Sequence, residues 1–128
     1  MRLLLDTNAL IWAVLRPRQL SQRALDAISD GDNAVFMSVV NAWEVAIKAS
    51  LGKLVVPDDI EARIRRGCAD SGFGILPVEL RHAFEVRKLP LHHKDPFDRL
   101  LVAQARIEGL TLVSIDRQLH AYNLDVLW

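Results

Sequence analysis

The sequence predicts an α/β fold, a three-layer α/β/α sandwich around a central, mainly parallel sheet. Short, continuously apolar stretches recur along the chain, and helical segments of about 10 to 15 residues separate them. Strands that are apolar throughout are buried on both faces, which is typical of parallel sheets covered by helices on each side. No repeat, low-complexity tract or linker interrupts this alternation. We therefore expect residues 1–128 to form a single domain.

The first half of the chain begins with a strand and alternates strand and helical patterns. Ser21 is a predicted helix N-cap, Gly52 a predicted helix stop, and Asp58 or Asp59 caps a further helix. The predicted elements are the strand "RLLLD", the helix "NALIWAVL", the helix "SQRALDAIS", the strand "NAVFMS", the helix "VNAWEVAIKASLG" and the helix "PDDIEARIRRGCADSG".

The second half contains the clearest helix, "DPFDRLLVAQARIEG". Asp95 is its predicted N-cap, Pro96 its first helical residue and Gly109 its stop. The other predicted elements are the strand "FGILPV", the helix "ELRHAFEVRKL", the strand "LTLVSID", the short helix "RQLHAYN" and the strand "LDVLW".

Composition narrows the class of protein. Hydrophobic residues make up 51% and charged residues 25% of the 128 residues, the balance of a globular protein. Sixteen basic and sixteen acidic residues give zero net charge, so any nucleic-acid surface must be a local patch. The single cysteine, Cys68, excludes an intrachain disulfide and suits a reducing compartment. We find neither a signal peptide nor a membrane-spanning run and expect a cytoplasmic protein.

Four acidic residues are predicted at the same edge of the sheet. Asp6 and Asp116 follow strands, Glu44 is one turn into a helix, and Asp98 lies in the first turn of another. Ligands of open parallel sheets bind beyond the carboxyl ends of the strands, where the strand order reverses. Carboxylates that converge there repel one another, unless cations offset the negative charges or raised pKa values keep some of the carboxyl groups protonated. Hard cations with oxygen ligands, Mg²⁺ or Mn²⁺, are the natural occupants.

The presence of each of these four acids, and of Asp95 nearby, can also be explained without a metal site. Asp6, Asp95 and Asp116 can each serve as a helix N-cap. Glu44 precedes Lys48 by four residues, the favourable order for a surface ion pair. A carboxylate in the first helical turn, such as that of Asp98, gains from the helix dipole. Only their joint placement at one edge favours a metal site.

Four segments together resemble a known family. "LLLDTNALIWAV", "SVVNAWEVAIK", "DRLLVAQA" and "LVSIDRQL" are similar, in order and spacing, to the PIN-domain ribonucleases, and specifically to the VapC-like toxins of bacterial toxin–antitoxin pairs. The resemblance covers nearly the whole chain. It implies a metal-dependent endoribonuclease that uses Mg²⁺ or Mn²⁺ and leaves a 5′-phosphate and a 3′-hydroxyl. The implied partners are RNA, a cognate antitoxin and a second copy of the chain in a homodimer.

The resemblance also assigns roles to individual residues. The implied metal-site acids are Asp6, Glu44, Asp98 and Asp116. The implied supporting residues are Asn8, which would orient Asp6 by a hydrogen bond, and the hydroxyl-bearing Ser38 and Ser114. Ser114 stands where threonine is commoner in the family, a change that keeps the hydroxyl. The antitoxin of such proteins lies in a groove between the N-terminal helices, so "LIWAVL" or "WEVAIKASL" should expose apolar side chains.

The segment before the clearest helix adds further candidates. Asp95 is a candidate for the outer shell of the metal site, in addition to its capping role. The candidate RNA contacts are Lys94, Arg99, His92 and His93.

Two functions from other classes remain open. A phosphotransferase of the haloacid-dehalogenase kind would use a strand-ending Asp as nucleophile, but it requires a second Asp where this chain has Asn8. A non-catalytic interaction module would use the acids only as caps and ion pairs and would bind no divalent metal tightly.

Overall fold

Five strands and six α-helices alternate along the chain. The computed structural model describes residues 1–128. The strands are β1 (Arg2–Leu5), β2 (Ala34–Ser38), β3 (Gly74–Leu76), β4 (Thr111–Val113) and β5 (Val126–Leu127). The helices are α1 (Thr7–Leu15), α2 (Gln22–Ser29), α3 (Val39–Ser50), α4 (Ile60–Ser71), α5 (Leu80–Glu85) and α6 (Pro96–Glu108). Three 3₁₀ turns cover Pro17–Gln19, Val86–Lys88 and Arg117–Ala121.

All strand pairs are parallel, and the strand order is β3-β2-β1-β4-β5. The chain places β2 and β3 on one side of β1 and then β4 and β5 on the other side. The strand order therefore reverses between β1 and β4. Leu5 of β1 is in register with Val113 of β4, which brings the residues after these two strands side by side. The predicted α/β class with a central parallel sheet is confirmed.

The two faces of the sheet carry separate apolar cores, as continuously apolar strands require. Leu3 and Leu5 pack on one face with residues of α1, α2 and α4. Leu4 points to the other face and packs with residues of α3 and α6, among them the fully buried Leu101. Three consecutive leucines of β1 are thus completely buried, because successive side chains of a strand point to opposite faces.

Side-chain caps hold several helix ends in place; those of Asp6, Ser21 and Asp95 were predicted, and that of Ser38 was not. The side chains of Asp6, Ser21, Ser38 and Asp95 each accept a hydrogen bond from a backbone amide of the helix that follows. Gly109 ends α6 in the left-handed conformation, with φ of +66°. Glycine adopts this conformation readily because it has no Cβ atom.

Some elements differ from their predicted form. Asp59 stands at the N-cap of α4 but makes no capping hydrogen bond, because its carboxylate pairs with Arg63 four residues later. The predicted helix "ELRHAFEVRKL" is α-helical only over Leu80–Glu85 and continues as a 3₁₀ turn. "RQLHAYN" is likewise a 3₁₀ turn, Arg117–Ala121.

None of the helices combines the length and the apolar character that a membrane crossing requires.

Candidate metal centre

Asp6 occupies the junction between β1 and α1. Its Oδ1 accepts a hydrogen bond of 2.8 Å from the amide of Ala9, and its own amide donates to the Val113 carbonyl at 3.0 Å. The side chain is buried beside the end of β4. Burial raises the pKa of the Asp6 carboxyl to about 6; a hydrogen bond from Ser114 opposes that rise, while the charges of Glu44 and Asp116 add to it.

Glu44 reaches the same region from α3. It is buried, and its Oε1 accepts a hydrogen bond of 2.5 Å from the Thr7 hydroxyl. Asn41, one turn earlier, donates from its amide group to the Thr7 oxygen at 3.1 Å, so the hydroxyl proton of Thr7 is directed towards Glu44. The other carboxylate oxygen, Oε2, is in contact with the ammonium group of Lys48.

Two carboxylates lie at the start of α6, and only that of Asp95 caps the helix. The Oδ1 atom of Asp95 accepts from the amides of Phe97 at 2.8 Å and Asp98 at 3.2 Å. Its Oδ2 atom lies 3.4 Å from the nitrogen of Lys48, which thereby bridges α3 and α6. The carboxylate of Asp98 is free of any capping role and turns towards the other acids. Burial, reinforced by the charges of Asp95 and Glu44, raises the pKa of Asp98 to about 7.

Asp116 completes the group of acids from the end of β4. Its Oδ1 accepts from the amide of Gln118 at 2.9 Å and caps the following 3₁₀ turn. Its Oδ2 lies 2.9 Å from Nε2 of His93, and the same nitrogen lies 3.2 Å from Oδ2 of Asp98. One ligand atom from each of these three residues lies within 4.8 Å of the other two.

The acids therefore act on one another electrostatically. The repulsion that Asp6 experiences comes from Glu44 and Asp116, and the repulsion at Asp98 includes Asp6. Lys48 on α3 places a positive charge at one side of this group, in contact with Glu44 and with Asp95. The atoms that could bind a metal here are almost all carboxylate oxygens, the ligand type that hard divalent cations prefer.

The predicted supporting residues take different positions. Asn8 is exposed on α1, and the hydrogen bonds beside Asp6 come from Ser114 and from the Ala9 amide instead, which departs from the expected role of Asn8. Ser114 also accepts from the Asp116 amide at 3.0 Å. Ser38 does not touch the acids, because its hydroxyl caps α3 and donates to Gln104 at 2.6 Å.

The candidate RNA contacts also separate into two groups. Lys94 and His92 are exposed on the segment before α6. Arg99, in contrast, donates to the backbone carbonyls of Pro90 at 2.9 Å and Val86 at 3.0 Å, so its guanidinium anchors that segment rather than facing a ligand. His93 lies among the acids instead of on an open surface.

Sequence reasoning missed Thr7, Asn41 and the link between Lys48 and Asp95. Thr7 and Asn41 are polar residues at buried positions, and buried polar groups require hydrogen-bond partners. Polar residues within these otherwise apolar segments were the available signal. Their partners are distant in sequence, so the pattern alone gave no indication of which acid each would contact.

Comparison with known proteins identifies the family. The PIN domain profile matches residues 3–124. The chain belongs to the PIN domain family. The motifs that resembled PIN-domain proteins are those that position Asp6, Glu44, Asp98 and Asp116.

Solved structures share this PIN fold at low sequence identity. VapBC2 from Rickettsia felis, solved with a DNA fragment from its promoter, has a TM-score of 0.74 at 16% identity, with 100% of this chain and 99% of that chain covered. FitAcB from Neisseria gonorrhoeae has a TM-score of 0.68 at 22% identity, covering 98% and 96%. A toxin–antitoxin complex from Klebsiella pneumoniae has a TM-score of 0.62 at 23% identity, covering 98% and 95%. No curated protein matches the chain significantly by sequence.

Proposed function

We propose that this PIN domain is a metal-dependent endoribonuclease and the toxin of a toxin–antitoxin pair. The observation that supports the proposal most directly is the convergence of mutually repelling carboxylates, two buried and two half-buried, where the strand order reverses. Asp6, after β1, and Asp98, at the start of α6, both have raised pKa values because they are removed from solvent and lie near other carboxylates. A structural cap or a surface ion pair does not require this arrangement.

The residues fit a hard divalent cation. The metal ligands of the proposal are Asp6, Glu44, Asp98 and Asp116, which offer oxygen atoms only. Mg²⁺ or Mn²⁺ binding would offset the repulsion that raises the pKa values of Asp6 and Asp98. Asp95, already engaged by two backbone amides and Lys48, stands outside this set as an outer-shell residue.

In this proposal the protein residues hold and orient the reacting groups. A bound Mg²⁺ or Mn²⁺ supplies a water of lowered pKa and neutralises charge on the scissile phosphate. Glu44 is kept in place by Thr7 and Lys48, so its carboxylate is oriented before a ligand arrives. Lys94 and His92 are exposed next to the pocket and are the proposed contacts to the RNA backbone. RNA hydrolysis of this kind would take place in the cytoplasm.

Calorimetric titration with Mn²⁺ tests the metal site. Wild-type protein is expected to bind Mn²⁺, while Asp6→Asn and Asp98→Asn lose binding and cleavage of a labelled single-stranded RNA pool. Asp125→Asn is the matched control, because Asp125 is exposed and precedes β5 at the opposite end of the sheet. A folded wild-type protein that binds no Mn²⁺ would instead support the non-catalytic interaction module.

A groove between α3 and α4 supports the antitoxin part of the proposal. It has a volume of about 550 Å³, and ten of its twelve lining residues are hydrophobic. Trp43 and Ile75 line it with 51% and 58% of their surface exposed, a level unusual for large apolar side chains without a partner. The expected apolar surface thus occurs on "WEVAIKASL", whereas Leu10 and Ile11 of "LIWAVL" are buried. An amphipathic antitoxin helix suits such a groove, and the homodimer stays part of the proposal.

Growth of bacteria that express the chain tests the toxin assignment. Expression of the wild type is expected to arrest growth, and Asp98→Asn is expected to abolish the arrest. Trp43→Ser leaves the acids unchanged, so it should still arrest growth while a co-expressed cognate antitoxin neutralises it less well. Equal neutralisation of both proteins would remove the groove from the proposal.

A further inference from the structure

His93 lies between two of the proposed metal ligands. Its Nε2 atom is 2.9 Å from Oδ2 of Asp116 and 3.2 Å from Oδ2 of Asp98. Only 14% of its side chain is exposed, so the ring is part of the pocket wall. No other side chain forms a hydrogen bond or ion pair with both Asp116 and Asp98.

The other ring nitrogen determines which atom carries the proton. Nδ1 of His93 accepts a hydrogen bond of 3.1 Å from the backbone amide of Asp95. A nitrogen that accepts from an N–H group has no proton of its own, so the proton of a neutral ring is on Nε2. His93 is thereby set up to donate to the carboxylates of Asp98 and Asp116.

The ring is held in place independently of the acids. The backbone amide of His93 donates to the Tyr122 hydroxyl at 3.0 Å. Arg99 fixes the preceding segment by donating to the Pro90 carbonyl at 2.9 Å. Because these contacts restrict the backbone at His93 and just before it, His93 can act as a rigid donor rather than follow the carboxylates.

We propose that His93 is a positioning residue, which donates from Nε2 to Asp98 and Asp116 and holds these carboxylates at the separation that a divalent cation requires. This inference rests on the proposed metal site. Donors that orient ligating carboxylates typically change metal affinity 10- to 100-fold when they are removed. Direct ligation through Nε2 is a different arrangement, since it moves the proton to Nδ1 and breaks the bond from the Asp95 amide.

Mn²⁺ titrations of position 93 variants test the role. His93→Leu, which has no donor, is expected to lose Mn²⁺ affinity about 10- to 100-fold. His93→Gln has an amide donor on a side chain of similar reach and is expected to stay within a few-fold of the wild type. His120→Leu is the matched control, because His120 is exposed in the 3₁₀ turn Arg117–Ala121 and forms no hydrogen bond or ion pair with the acids.

Two spectroscopic measurements separate positioning from other roles. Nitrogen NMR of metal-free wild-type protein at pH 8 is expected to show the proton of His93 on Nε2, and the same tautomer after Mg²⁺ is added. Pulsed electron paramagnetic resonance of the Mn²⁺ complex is expected to show no directly bonded nitrogen. A proton on Nδ1, or nitrogen bonded to Mn²⁺, would overturn the positioning role whether or not His93→Leu folds.

The titrations also distinguish the two proposals. If His93→Leu binds Mn²⁺ as tightly as the wild type does, or more tightly, the role of His93 alone is refuted. The same conclusion follows if His93→Gln loses as much affinity as His93→Leu. No Mn²⁺ binding by the wild type would refute the metal site itself, and the role of His93 with it.

Discussion

Replacement of Asp98 by asparagine should stabilise the metal-free protein at alkaline pH. The pKa of Asp98 rises from 3.8 to about 7, chiefly because the carboxyl is buried and secondly because Asp95 and Glu44 lie close by. One pKa unit corresponds to about 1.4 kcal/mol, so ionised Asp98 lowers the free energy of unfolding by about 4 kcal/mol. Its side chain is 19% exposed, so solvent screens the charge only in part. The asparagine side chain has a similar shape and no charge, so it avoids this penalty.

The pH dependence gives the sign of the effect. The folded-state pKa exceeds the unfolded one, so the folded protein binds more protons between about pH 4 and pH 7. The free energy of unfolding therefore falls as the pH rises through this window, and the penalty is complete above pH 7. The stabilisation of Asp98→Asn should be large at pH 8.5 and absent near pH 4.

Urea denaturation in the presence of a chelator measures this prediction. We expect the free energy of unfolding of Asp98→Asn to exceed that of the wild type by about 3 to 5 kcal/mol at pH 8.5. The matched control is Glu61→Gln, in the first turn of α4, whose carboxylate is 81% exposed and should change stability by less than about 0.5 kcal/mol. If Asp98→Asn were destabilised at pH 8.5, or stabilised equally at pH 4, the acid pocket would not be the source of the effect.

Further substitutions test the parts of the fold that position the site. Gln104→Leu should cost about 1 to 3 kcal/mol, because it leaves the buried Ser38 hydroxyl without its acceptor; a double-mutant cycle with Ser38→Ala should be strongly non-additive. Arg99→Met should make the residues before α6 exchange their amide protons faster and cost about 1 to 3 kcal/mol; unchanged exchange would contradict the anchoring role. Leu101→Ala should lower the free energy of unfolding by about 2 to 5 kcal/mol in chemical denaturation, since Leu101 is completely buried.

Much of the fold was predictable because its signals are local. Asp95, Pro96 and Gly109 mark the bounds of α6 through interactions within a few residues. The apolar run of β1 is buried on both faces, as predicted for a strand inside a parallel sheet. The predicted helix from Glu79 to Leu89 was too long, because the chain tightens into a 3₁₀ turn where Arg99 binds the carbonyls of Val86 and Leu89.

The contacts within the site were less predictable. A pair between Lys48 and Glu44, four residues apart on one helix, was one explanation that the sequence offered for Glu44, and the structure has this pair. The second contact of Lys48, with Asp95, joins residues 47 positions apart, and no local pattern indicates such a pair. Asn8 and Thr7 follow Asp6 directly, yet only the orientation of α1 decides that Thr7 faces Glu44 while Asn8 faces outward.

The sequence by itself determined the alternation of strands and helices, the helix caps and the identity of the acids that end the strands. Those features depend on side-chain size, burial and hydrogen bonds between near neighbours. The tertiary structure alone decided that His93 lies between Asp98 and Asp116 and that Arg99 holds the backbone in front of it. The reason is physical: these contacts join residues that neither helix periodicity nor local hydrogen bonding relates, and only the packing of α6 against the segment before it selects the partners.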